Sequence, residues 1–171
     1  DVKYAIVQNQ EQTDKLLEIK DRLPNLEHIC YEEPRGMRNY SQEYIHYYKD
    51  IQKNGETFQS ENPEFFLSEI EKSHGRDIAI FLYTSGTTGN PKGVVLTFDN
   101  LIISSRNGIT FDSLTSEEEV LAYLPMAWVG DNIFSFGQAY VAGFCVNCPE
   151  NSETVTTDLK EIGPTYYFAP P

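Results

Sequence analysis

The sequence predicts an α/β fold, an open and mainly parallel sheet with covering helices. Short apolar runs alternate with stretches of helical periodicity along most of the chain, the order expected when strands and helices are laid down in turn. Pro, Gly and Asn punctuate those runs at nearly every change of period. The length of 171 residues suits one domain with a real core, since domains most often run to about 100–150 residues. We therefore expect a single α/β piece over 1–171, with a βαβ start at 1–31, a charged helical insertion at 32–77 and an alternating β/α segment at 78–171.

"VKYAIV" reads as the first strand. "QEQTDKLLEIKDRL" follows as a helix, with Leu16, Leu17, Ile19 and Leu23 near helical spacing until Pro24 stops it, and "LEHICY" is the next strand. Residues 32–77 change character, being charged, tyrosine-rich and broken by Pro34, Gly36, Gly55 and Pro63, so helices and loops are expected there. Ser41 can cap a helix over "QEYIHYYKDIQKN". Asn62-Pro63 opens a second, "PEFFLSEIEKS", which turns Phe65, Phe66 and Ile70 toward a core and ends at Gly75.

"DIAIFLY" and "GVVLT" are strands on either side of a polar loop, and "FDNLIISSRN" is a helix capped by Thr97 or Asp99 and ended by Gly108. A strand, "EEVLAYLP", closes at Pro125; "GDNIFSFGQAYVAG" is a helix, "FCVNC" a strand, "ETVTTDLKEIG" a helix and "PTYYFAPP" a last strand. No repeat or low-complexity run interrupts the alternation.

A net charge of −13 and a pI near 4.5 argue against nucleic-acid or anionic-membrane partners, whose footprint is a basic patch. No apolar run reaches the ~18 residues of a membrane span, and no leader precedes the first strand, so a cytoplasmic protein is expected. The chain begins and stops beside strand-like runs and reads as an internal piece of something longer, with surfaces exposed by truncation that favour self-association. Cys30, Cys145 and Cys148 make no disulfide framework; the Cys145–Cys148 spacing lacks the second pair of a zinc ribbon and reads as a strand end with buried or half-buried thiols. His28, His46 and His74 fall in three separate elements without metal spacing, and Tyr40, Tyr44, Tyr47 and Tyr48 read as packing residues.

The loop in "FLYTSGTTGNPKGVV" is where the chemistry concentrates. Gly86 and Gly89 allow the main chain to approach a ligand and to turn its amides inward as an anion nest. Thr84, Ser85, Thr87 and Thr88 add hydroxyl donors, and Lys92, stiffened by Pro91, adds a positive charge at the far end. The combination suits a polyphosphate. It is not the common P-loop, because Lys92 is followed by Gly93 rather than Ser or Thr and because the loop joins two strands instead of opening a helix.

Tyr83-Thr84-Ser85-Gly86-Thr87-Thr88-Gly89-Asn90-Pro91-Lys92-Gly93 resembles the signature loop of the adenylate-forming superfamily, which includes acyl-CoA synthetases, amino-acid adenylation domains and luciferases. Leu124-Pro125-Met126-Ala127-Trp128 resembles that family's segment beside the acid-substrate pocket, with Trp128 standing where many members have histidine. "TVTTDLKEIGPTYYFAPP" is similar to a segment of long-chain acyl-CoA synthetases. The resemblance is strong over 78–171 and generic over 1–77, and implies part of the large N-terminal domain of an AMP-forming enzyme.

What the resemblance implies is a long-chain fatty acid–CoA ligase using ATP, Mg²⁺ and coenzyme A through an acyl-adenylate, cytoplasmic or membrane-peripheral in the parent protein. Thr84, Ser85, Gly86, Thr87, Thr88, Gly89 and Lys92 would hold the ATP phosphates, Thr87 would stand on the Mg²⁺ side, and Trp128 would line or gate the acyl pocket unless it simply fills core space. No catalytic residue is assigned, and the chain alone is expected to be inactive. The alternatives are an aryl or amino-acid adenylating enzyme and a non-catalytic nucleotide-binding module.

Overall fold

A computed structural model describes residues 2–84 and 91–169. Packing divides the chain into two compact units, 1–72 and 73–171.

The first unit is built on a three-stranded parallel sheet of β1 (Tyr4–Val7), β2 (His28–Tyr31) and β3 (Ile45–Tyr47), in that order. Tyr4 faces His28 in the first pairing and Ile29 faces Ile45 in the second. Helix α1 (Gln10–Glu18) crosses from β1 to β2; the Asn9 side chain accepts from the Gln12 N–H at 3.2 Å, and the chain leaves through a 3₁₀ turn at Lys20–Arg22 before Pro24. Ile29, Cys30, Leu26 and Met37 are buried here, together with Thr13, whose hydroxyl donates to the Asn9 carbonyl at 3.0 Å.

Two expectations fail in this unit. Ser41 caps no helix: β2 offers an open edge, Ile29 N–H donates to the Tyr44 carbonyl at 2.8 Å, and 45–47 pair as β3, so α2 (Tyr48–Glu61) starts only afterwards. Sheet hydrogen bonding at an open edge overrides a short helical periodicity. Helix α3 (Phe65–Glu71) forms, but Phe65, Phe66 and Ile70 are 48%, 60% and 51% exposed instead of facing a core, and the helix stops at Lys72 rather than Gly75.

The second unit opens with an antiparallel hairpin of β4 (Ile78–Thr84) and β5 (Lys92–Thr97). Helix α4 (Phe98–Asp112) follows at once, with Thr97 accepting from the Asn100 N–H and the Asn100 side chain returning to the Thr97 N–H. Gly108 does not end this helix; the left-handed Ser113 (φ 56°) does. Gly108 instead permits close helix packing, since a Cβ there would strike the Gln138 side-chain amide.

Strands β6 (Glu119–Leu121) and β7 (Cys145–Asn147) pair in parallel. Between them run α5 (Val129–Asp131), a π-helical turn (Asn132–Gly137) and α6 (Gln138–Ala142), closed by left-handed Gly143. Helix α7 (Val155–Ile162) ends at left-handed Gly163. The last stretch is not the expected strand: Thr165 and Tyr166 N–H groups both reach the Glu119 carbonyl, at 2.9 and 3.4 Å, and no ladder continues. Pro164 has no N–H to donate, and one shared acceptor cannot propagate pairing. The architecture is thus α/β, with parallel sheets, covering helices and one antiparallel hairpin.

Candidate active site

The hairpin presents the polar loop. Thr84 and Lys92 are partners in the last described pair of the β4–β5 register, so the two ends of segment 85–91 are held side by side. Both residues are exposed, and among the described residues no carboxylate pairs with the Lys92 ammonium. Tyr83 pairs with Gly93, and its ring lies across the glycine, 3.5 Å from where a Cβ would sit. Leu82 is 9% exposed and fastens β4 to the unit. An anchored strand end carrying a hydroxyl and a cation that no described carboxylate pairs is chemistry that can receive an anion. Ser85, Gly86, Thr87, Thr88 and Gly89 lie outside the described residues.

The α4 N-terminus stands apart from this strand end. Thr97 pairs with Ile78 at the opposite end of the hairpin, and six residues of β5 at about 3.3 Å each place the helix start about 20 Å from the loop. The α4 N-terminus is therefore not placed to meet an anion beside Thr84 and Lys92.

Trp128 belongs to another element, the turn that follows β6 and enters α5. Its indole leans on Phe168, ring centres 5.7 Å apart, and Phe168 stacks on Phe134 at 3.9 Å. Asn132 donates its side-chain N–H to the carbonyls of Met126 at 2.8 Å and Trp128 at 3.2 Å. Asp131, 1% exposed, accepts from the Ser135 hydroxyl at 2.8 Å where α5 passes into the π-helical turn, a local widening of the helix often found at functional sites. Sequence reading singled out Trp128 alone; the Asp131–Ser135 spacing of four was the one signal that could have flagged its neighbours.

Two further groups depart from expectation. Cys145 and Cys148 are exposed rather than buried, and the hydrogen bond from Cys145 to the Glu119 carboxylate pushes its thiol pKa up, which opposes a reactive thiolate. His28 and His46, from separate elements, meet with Nδ1 and Nε2 2.8 Å apart because β2 and β3 are sheet neighbours. Among the described residues no group of three His, Cys, Asp or Glu side chains is placed to hold a metal ion, and no helix is long and apolar enough to cross a membrane.

The profile of the AMP-binding enzyme family matches residues 1–171. The long-chain-fatty-acid–CoA ligase ACSBG1 of Rattus norvegicus is 30% identical over 97% of this chain, which corresponds to 23% of that protein. The long-chain-fatty-acid–CoA ligase heimdall of Drosophila melanogaster is 28% identical over 98% of the chain and 25% of its own length. The chain thus spans about a quarter of the curated relatives it matches. Among solved structures, the anthranilate CoA ligase AuaEII in complex with anthranoyl-AMP superposes with a TM-score of 0.71 at 22% identity, over 98% of this chain and 30% of that one. The o-succinylbenzoate coenzyme A synthetase MenE of Bacillus subtilis, in complex with ATP and magnesium ion, gives 0.54 at 16% identity, over 96% and 42%. Loop, fold and family profile converge, and this chain belongs to the AMP-binding enzyme family.

Proposed function

We propose that the full-length protein is an ATP-dependent, AMP-forming acyl-CoA synthetase for long-chain fatty acids, and that residues 84–92 grip the ATP phosphates. The register pair Thr84–Lys92 carries this reading, because it closes a glycine- and hydroxyl-rich segment beside a cation that no described carboxylate neutralises. The long-chain acid is supported by the names of the curated relatives. In the first half-reaction a fatty-acid carboxylate oxygen attacks the α-phosphorus, the bond to the bridging oxygen breaks and pyrophosphate leaves. In the second the coenzyme A thiol, losing its proton, attacks the acyl carbonyl and displaces AMP.

Charge gathers on the departing β- and γ-phosphates. Backbone amides at Gly86 and Gly89, the hydroxyls of Thr84, Ser85, Thr87 and Thr88, and the Lys92 ammonium stabilise it. Mg²⁺, when bound, neutralises phosphate oxygens, and Thr87 is the hydroxyl we place on its side. Trp128 lines the acyl pocket. The 171-residue chain by itself is inactive, and the parent works in the cytoplasm or at a membrane surface.

The test separates the half-reactions in the full-length enzyme. Lys92→Ala and Thr87→Val are expected to slow adenylate formation on the order of 100-fold, roughly 3 kcal/mol, while thioester formation from preformed acyl-adenylate is nearly unchanged. Equal loss in both half-reactions would reject the phosphate role.

A further inference from the structure

Trp128 is tied on one side and open on the other. Gly130 is buried directly beneath its indole, and a Cβ at that position would run into the six-membered ring. Asn132 fastens the turn on both sides of Ala127 by its bonds to the Met126 and Trp128 carbonyls. Phe168, against which the ring leans, is itself fixed, since its carbonyl accepts from the Tyr123 hydroxyl at 3.0 Å. Despite these restraints the tryptophan is 39% exposed, while Val120, Leu121 and Phe144 of the same unit are 4–6% exposed. Other rings of the unit are as open, Phe98 at 43% and Phe111 at 88%, so what marks Trp128 is its seat: the neighbours beneath and beside it determine where its exposed face stands.

We propose that Gly130 and Asn132 are positioning residues for the Trp128 ring, and that Gly130, as the floor of its seat, is a specificity-determining position for the acid substrate. This rests on the reading above that Trp128 lines the acyl pocket. The indole can lie flat against the chain only because residue 130 has no side chain. One added methyl group lifts the ring off its seat and changes the space beside it. Changes of that size in an apolar pocket discriminate substrates by about 10-fold.

The experiment uses the full-length enzyme with Gly130→Ala, Asn132→Ala, Trp128→Ala and the Trp128→Ala/Gly130→Ala pair. Two readouts are taken: the emission of Trp128, isolated as the difference from a Trp128→Phe protein, and kcat/KM over fatty acids of graded length. Gly130→Ala is expected to shift Trp128 emission to longer wavelength and to change the long-to-short acid ratio by about 10-fold, whereas in the Trp128→Ala background it should leave the ratio unchanged. An unmoved emission in a folded Gly130→Ala protein overturns the positioning role. So does an equal effect of Gly130→Ala with and without Trp128. If emission moves while Trp128→Ala leaves the acid ratio untouched, the seat is real but the pocket assignment of Trp128 is wrong, and the specificity role falls with it. Should Gly130→Ala fail to fold, Asn132→Ala carries the same two readouts.

Discussion

Thr97 is the last residue of β5 and also the cap of α4, so one side chain joins two elements. Its hydroxyl satisfies the Asn100 N–H, one of the donors that every helix start leaves without a partner. Thr97→Ala is expected to lower stability by about 1 kcal/mol and Thr97→Ser to recover most of it, read from urea denaturation midpoints. The sequence narrowed this cap to Thr97 or Asp99, because the Thr97 partner is only three residues away, and the structure chose Thr97. The His28–His46 contact was not legible there, since no local pattern encodes which strands become neighbours. For the same reason Trp128 could be named from its motif but not placed, because Gly130 and Phe168 define its seat through tertiary packing.

At the scale of elements, the C-terminal stretch is fastened to β6 by side chains instead of a ladder. The Thr165 hydroxyl accepts from the Glu119 N–H at 2.9 Å and donates to the Glu118 carboxylate at 2.7 Å, which holds that carboxyl below its usual range. Thr165→Val removes both bonds at similar shape and is expected to lower stability by about 1 kcal/mol, with faster amide exchange confined to the segment after Gly163. Two tyrosines add a pH dependence. Burial, then the bond to Tyr167, pushes Tyr123 up to about 12, and burial, then the bond to Asp112, pushes Tyr166 up to about 12. The unfolded chain loses these protons near pH 10, before the folded one does, so stability should fall from about pH 10 to about pH 12. Tyr166→Phe should flatten that fall in a pH series of thermal melts.

At the scale of the molecule, large apolar side chains lie open in both units, among them Phe66 at 60%, Phe81 at 55% and Phe111 at 88% exposed. A chain with such surfaces is expected to associate with itself despite its net charge of −13. Sedimentation of the 171-residue chain should show mass rising with concentration and with added salt, which screens the charge repulsion. A strictly monomeric chain at high salt would reject the idea.

The sequence by itself determined most of the alternation of strands and helices, the loop between two strands, a cap for α4 at Thr97 or Asp99, and the family, because each is written in side-chain period, turn chemistry or a local motif. Tertiary structure alone decided that 45–47 pair with β2 instead of joining a helix, that Phe65, Phe66 and Ile70 face outward, and that Gly108 packs helices instead of ending one. It also decided that Thr84 and Lys92 stand side by side and that Gly130 is the floor under Trp128. The physical reason is common to all of these. An open strand edge, a close helix approach or an aromatic seat is satisfied by residues distant in sequence, and its free energy is counted only when the chain has brought them together.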